Sequence, residues 1–157
     1  MEAVDKEGLK SVFATPDIDQ KQLVIRPQFY AENAANKLVV TLYDGNKAVA
    51  KTSVTCGDNS VVVLPVKNMK LWSPESPFLY GLKYQVVKNG KVIDEVNSYA
   101  GMRKVHLAGG YFYLNNKPYY QRLVLDQGYY PDGIWTAPTD EALKKDIEMA
   151  KAVGFNG

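Results

Sequence analysis

Between Leu9 and Tyr99, short stretches of alternating apolar and polar residues are broken by turn-forming residues roughly every ten positions, and helical periodicity is absent. A chain of this kind is predicted to bury one side of each strand and to stack the strands as two antiparallel sheets, an all-β sandwich. Leu38, Val40 and Leu42 alternate with Val39, Thr41 and Tyr43. Asp44-Gly45-Asn46 then supplies residues tolerant of positive φ, and Ala48 to Val54 returns as the second arm of a hairpin. Leu82, Tyr84 and Val86 share one face of a later strand, which Asn89-Gly90 turns back towards Tyr99. The continuous apolar run Val61 to Val66 reads as a central strand, brought to an end by Pro65, which has no amide to donate. Leu38, Val40, Leu42, Val62, Leu64, Leu82, Tyr84 and Val86 are therefore the predicted core.

The pattern changes after Gly101. Met102 to Leu107, Gly110 to Leu114 and Tyr119 to Leu125 read as further strands, with Asn115-Asn116-Lys117-Pro118 as a turn in which Asn takes the left-handed position. A helix follows from about Asp140 to Val153. Thr139 is its N-cap, Asp140 and Glu141 favour the positive end of the dipole, and Gly154 is the stop. Leu143, Ile147 and Ala150 form its apolar stripe, and Glu141 and Lys145 an outward pair. Phe155-Asn156-Gly157 approaches another strand, so the segment opens a βαβ unit whose parallel partner the sequence is expected to lack. Two regions are predicted, a sandwich domain over 1–103 and an incomplete second domain over 104–157.

Composition narrows the function classes. The 19 Lys and Arg and 17 Asp and Glu are interspersed, so no basic face for nucleic acid or membrane is expected. No apolar run reaches the length of about 18 residues that a membrane span needs, and the start Met1-Glu2-Ala3-Val4-Asp5-Lys6-Glu7-Gly8 has no signal pattern. Cys56 is the only cysteine, which excludes an intrachain disulfide and a cysteine-ligated metal site and leaves the compartment open.

Two separated stretches carry a resemblance. Leu71-Trp72-Ser73-Pro74-Glu75-Ser76-Pro77-Phe78-Leu79-Tyr80 is similar to the W-x-P-x-x-P-x-L-Y corner of family 2 glycoside hydrolases, the group of β-galactosidases, β-glucuronidases and β-mannosidases. Tyr99-Ala100-Gly101-Met102-Arg103-Lys104-Val105, with Tyr111-Phe112-Tyr113-Leu114-Asn115-Asn116-Lys117-Pro118, resembles that family's G-x-R segment and F-x-L-N-G-K-P hairpin, Asn116 standing where Gly is usual. Asp146 to Lys151 and Gly154-Phe155-Asn156 resemble its first barrel helix and the approach to the second strand. The resemblance implies a mostly β fragment: an immunoglobulin-like antiparallel β-sandwich followed by a truncated βα unit of a (β/α)8 barrel. It further implies a parent that hydrolyses O-glycosidic bonds with retention, taking a carbohydrate substrate and no cofactor or metal. Its two catalytic glutamates would lie beyond Gly157. The fragment is then a non-catalytic scaffold. An independent immunoglobulin-like module binding carbohydrate or protein is the competing class, and the βα ending argues against it.

Few residues here carry chemistry. Where many family members have an Asn-Arg-His-Glu type segment after the first barrel strand, this chain has Leu123-Val124-Leu125-Asp126-Gln127-Gly128. Barrel active sites gather at the C-terminal ends of strands, so Asp126 and Gln127 would point at the substrate pocket, the competing reading being loop capping. Tyr129, Tyr130 and Trp135 are candidates for stacking on a sugar ring, against simple loop packing. Asp17, Asp19 and His106 are expected to be structural, Trp72 to cover the core edge, and Arg103 to tie sandwich to barrel by charge-assisted hydrogen bonds. Tyr119 to Leu125 and the helix stripe, short of neighbours, are expected to fold back or to pair with a second copy.

Overall fold

A computed structural model describes residues 4–57 and 59–157; residues 1–3, on which part of the reading of the start of the chain falls, lie outside the described residues. The chain divides into two compact units, Met1–Val105 with Leu114–Asn116, and His106–Tyr113 with Lys117–Gly157.

The first unit holds the strands β1 (Leu9–Asp17), β2 (Gln22–Phe29), β3 (Asn33–Asp44), β4 (Lys47–Cys56), β5 (Val62–Pro65), β6 (Tyr80–Lys88) and β7 (Lys91–Ala100). They form two antiparallel sheets, of order β1-β2-β5 and β4-β3-β6-β7. The pleat decides which side chains meet. Leu38 lies opposite Val86, Val40 opposite Tyr84 and Leu42 opposite Leu82. On the facing sheet Leu23 pairs with Leu64 and Ile25 with Val62. All of these are buried in one shared core, and all eight predicted core residues are among them. Each full burial of such a side chain stabilises by about 1.5–3 kcal/mol before entropy is counted. No helix occurs among the described residues of the Leu9 to Tyr99 span.

The turns follow the chemistry of their residues. Gly45 takes φ +58° between β3 and β4, and Asn89 and Gly90 take +49° and +76° between β6 and β7. The run Val61 to Val66, however, is not a central strand. Its β5 has four residues and lies at the edge of its sheet. Val62 and Leu64 are buried while Val61 and Val63 are exposed, because a strand with one covered face sends alternate side chains outward whatever their polarity. An edge also tolerates Pro65.

The Pro-rich corner is fastened to the chain leaving the sandwich. Leu71 bridges Met102 in parallel, the Trp72 amide donates to the Met102 carbonyl at 3.0 Å, and Met102 itself is fully buried. A Cβ on Gly101 would come to 3.3 Å from the Cβ of Trp72, tighter than an ordinary contact, so a larger residue there would press the Trp72 side chain aside by a few tenths of an ångström. The Asn115 side chain accepts from the Lys104 amide at 3.1 Å and donates to the Trp72 carbonyl at 2.9 Å.

A second small sheet, of order β10-β9-β8, is built from β8 (Val105–Ala108), β9 (Tyr111–Leu114) and β10 (Lys117–Pro118). β8 starts later than the expected Met102 because Met102 is already engaged with Leu71. Asn115 and Asn116 take φ +53° and +64°, the left-handed positions foreseen for them.

The helix α1 is Asp140–Ala152. The Thr139 hydroxyl accepts from the Ala142 amide at 3.2 Å. Gly154 at φ +98° donates to Lys151, and Phe155 donates to Ala150, so the last carbonyls are satisfied by a Schellman closure. The outward ion pair is Lys144 with Glu148 at 3.7 Å, not the expected Glu141 with Lys145; both spacings suit a helix and each contributes only a few tenths of a kcal/mol. Leu143 is 49% and Ile147 63% exposed.

Tyr119 to Leu125 departs from expectation, being extended chain outside any ladder. A parallel strand normally draws hydrogen bonds from both neighbours. Here the Tyr119 amide donates to the Phe112 carbonyl of β9 at 2.9 Å, and further along the Asn156 amide donates to the Arg122 carbonyl at 2.9 Å and the Val124 amide to that of Gly157 at 3.0 Å, these two segments advancing in the same sense. The chain thus supplies the beginning of the parallel partner that it was expected to lack. The Asn156 side chain accepts from the Arg122 amide at 2.7 Å and donates to the Tyr120 carbonyl at 2.9 Å.

Glu7 gives the sandwich a pH dependence. Its carboxylate accepts from Lys88 at 2.7 Å and from Asn36 and Asn33 at 3.0 Å each, and these donors lower its pKa from 4.5 to about 2. A depressed folded-state pKa means that the unfolded chain binds the proton more readily, so this contribution is complete above pH 4.5 and is lost as pH falls towards 2. Glu7→Gln should therefore lower the melting temperature at neutral pH and flatten its decline between pH 4.5 and 2, followed by circular dichroism. Parallel melting curves across that window would show the carboxylate to be unimportant.

Candidate functional site

The loop between the extended segment and α1 carries the residues singled out for substrate contact. Asp126 is exposed, and its Oδ1 accepts from the Gly128 amide at 2.7 Å, with Gly128 at φ +61°. That is the capping bond a loop carboxylate makes two residues on. Gln127 beside it is exposed.

Beyond Gly128 the loop is tightly closed. Tyr130 and Ile134 exchange two backbone hydrogen bonds of 2.9 Å each, which pinch Pro131-Asp132-Gly133 into a turn. Ile134 has φ +56°, a conformation that a β-branched residue adopts at a cost of about 1–3 kcal/mol. The Thr136 amide donates to the Gly133 carbonyl at 2.9 Å, and a Cβ on Gly133 would lie 1.9 Å from the Thr136 carbonyl oxygen. Only glycine fits there. The Tyr130 hydroxyl donates to Asp146 on α1 at 2.8 Å, tying loop to helix, and this bond to a carboxylate raises the phenol's pKa. Tyr129 and Trp135 flank the closure, edge to face with ring centroids 5.9 Å apart, and are 67% and 79% exposed. The sequence drew attention to both aromatics but missed Gly133 and Ile134. Pro-Asp-Gly is a turn signature that would have found the closure.

The remaining candidates make contacts within the first and second units. The Asp17 carboxylate accepts from the Gln20 amide at 3.0 Å in the turn after β1. Asp19 is ion-paired with Lys104 and accepts from Asn116 at 2.7 Å. His106 stacks on Tyr113 at 4.9 Å. Half-buried Trp72 lies under Arg103, whose guanidinium sits 4.7 Å from the ring centroid, so Arg103 makes a cation–π contact within the first unit in place of the expected charge-assisted hydrogen bonds. Burial pushes the Cys56 thiol up to about 11, which leaves it unreactive as a nucleophile.

An immunoglobulin-like sandwich running into a strand-like segment, a loop and a helix defines the class of architecture, and known proteins share it. The sequence profile of glycosyl hydrolases family 2 matches residues 8–103, and the chain belongs to that family. A β-galactosidase of Leuconostoc mesenteroides subsp. mesenteroides is 30% identical over 159 residues, covering 89% of this chain and 15% of that protein. A β-galactosidase of Oenococcus oeni is 29% identical over 153 residues, again covering 89% and 15%. The chain thus spans a fifth or less of the length of its curated relatives. The crystal structure of a Ruminococcus gnavus β-glucuronidase superposes with a TM-score of 0.81 at 22% identity, over 96% of this chain and 25% of that one, a likeness of fold.

The closure has a direct check. Gly133→Ala forces the added carbon against the Thr136 carbonyl. The amides of Tyr130 and Ile134 should then lose hydrogen-exchange protection, while the sandwich melts as before because its core is untouched. Retained protection would mean that the Thr136 peptide moves aside freely.

Proposed function

We propose that this chain is the non-catalytic scaffold part of a retaining glycoside hydrolase, with 1–103 the supporting sandwich, 104–157 the start of the catalytic barrel, and Asp126 and Gln127 facing its substrate. Membership of the family over 8–103 is the observation that carries this reading. The βα loop position of Asp126 and Gln127 supports their role, since barrel enzymes gather their sites at that end. Retaining hydrolysis needs an acid and a nucleophile about 5–5.5 Å apart. The carboxylates described above have other work: Asp17 and Asp19 in the sandwich, Asp146 with Tyr130 and Asp126 with Gly128.

Aryl β-glucuronide and aryl β-galactoside test the activity. The 157-residue chain should turn over neither, and a protein carrying this sequence with a complete barrel should hydrolyse at least one, releasing first the β-anomer by proton NMR. Turnover by the chain alone, or first release of the α-anomer, would refute the scaffold or the retaining assignment respectively.

The exposed Leu143 and Ile147 support a second property, self-association of the isolated chain through the 119–157 segment. Light scattering should give a mass above that of a monomer, falling to the monomer's for Leu143→Lys with Ile147→Lys. Equal monomeric masses for both proteins would remove it.

A further inference from the structure

Two hairpins of this chain have two-residue turns in which both residues are left-handed: Asn89-Gly90 between β6 and β7, and Asn115-Asn116 between β9 and β10. Glycine is the residue that such a turn favours at its second position, because a side chain there meets a steric penalty at positive φ. The first turn follows that rule, with Gly90 at φ +76°. The second keeps a side chain, with Asn116 at +64°, and this exchange is also where the hairpin departs from the family pattern. Asn tolerates the left-handed region better than most residues, but less well than glycine. The turn itself gains nothing from Asn116, so the reason for it lies in the contacts of its carboxamide.

Asn116 Nδ2 donates to Asp19 Oδ1 at 2.7 Å, and the other oxygen of Asp19, Oδ2, pairs with the Lys104 ammonium. Lys104 in turn exchanges two bonds with Asn115: its amide donates to Asn115 Oδ1 at 3.1 Å, and the Asn115 amide donates to the Lys104 carbonyl at 2.8 Å. The contacts therefore run from Asp19 to Asn116, on to Asn115 and Lys104, and back to Asp19. This closed ring joins the turn between β1 and β2, the segment entering β8, and the turn between β9 and β10. All four residues belong to the first unit. We propose that Asp19 and Asn116 form a latch that fastens the turn at 115–116 to the sandwich, so that this turn and the segment at Lys104 open together and not one at a time. The bonds of Asn115 to Lys104 and to the Trp72 carbonyl hold the turn from one side, and Asp19 holds it from the other. An exposed ion pair contributes little by itself. A carboxylate that accepts with both oxygens from two segments already bonded to each other contributes more, because either donor, once placed, holds the carboxylate ready for the second. The latch goes beyond the enzymatic reading and does not depend on it.

Amide exchange of the 157-residue chain, followed by NMR, tests the latch through a sign. Asn116→Gly supplies the residue that the turn prefers, so a turn without a latch would exchange its Asn115 and Lys104 amides at the same rate or more slowly. With the latch, both should exchange about tenfold faster, the loss that removal of one charge-assisted hydrogen bond brings. In an Asp19→Ala background the same change should no longer speed exchange, because only the backbone preference is left. Lys104→Met gives a second arm that keeps the Asp19 carboxylate. It should speed exchange at Asn115, and adding Asn116→Gly to it should then cost less than in the parent chain, as expected of contacts that support one another. The amides of Val40 and Tyr84 should keep their protection throughout, since their side chains lie in the buried core away from the ring. Unchanged or slower exchange in Asn116→Gly, equal speeding with and without Asp19, or strictly additive effects of Lys104→Met and Asn116→Gly overturns the latch.

Discussion

Everything regular in the first unit depends on the dry layer between its two sheets. Leu23, Ile25, Val62 and Leu64 from one side and Leu38, Val40, Leu42, Leu82, Tyr84 and Val86 from the other are all removed from water. Because side chains alternate with period two, a slip of one residue in any of these strands would turn its whole set outward. Register, turn positions and strand ends are thereby linked, and short turns such as Asn89-Gly90 lock the register locally that the core demands globally.

That layer also explains why the family's most recognisable residues are not chemical. Trp72, the Gly101-Met102 pair and Asn115 lie apart in sequence, yet they converge where the chain leaves the sandwich: a buried methionine, a tryptophan packed closely on Gly101, and an amide side chain bonded to both segments of the crossing. Such a clasp fixes the direction in which the chain departs. Its residues have the geometry of a joint, and Arg103 stacked on Trp72 shields the ring from water.

The alternation of Leu38 to Leu42 and of Leu82 to Val86, the Gly and Asn turns and the Thr139 cap were legible because each depends on residues adjacent in the chain. What escaped was decided by distant partners. Val61 to Val66 has the composition of a central strand, but strand order is a property of the sheet, and nothing within six residues says which side stays unpaired. Tyr119 to Leu125 has strand-like composition, but its backbone bonds to β9 stop at Tyr119 and those to 156–157 involve only Arg122 and Val124, too few to make a ladder. Of the candidate site, Asp126, Gln127, Tyr129 and Trp135 were visible as residue types. The strain at Ile134 was not, because a positive φ at a β-branched residue opposes local preference and is imposed by the closure around it.

The two units are held together internally by different physics, and the difference bears on where function can lie. No residue of His106–Tyr113 or Lys117–Gly157 is buried, so the second unit has no hydrophobic core of its own. Its order comes from specific hydrogen bonds: Asn156 on 120–122, the Schellman closure of α1, Tyr130 on Asp146, and the pinch at Ile134. A net hydrogen bond contributes only about 0.5–1.5 kcal/mol, so each is individually weak, and exposed segments built this way open more readily than a sandwich core. In the scaffold reading proposed above, the exposed Tyr129, Trp135, Leu143 and Ile147 lack the barrel neighbours that would cover them, so the pinch at Ile134 and the Tyr130 hydroxyl on Asp146 alone keep the loop's shape, and packing against the rest of a barrel would add what these hydrogen bonds do not supply.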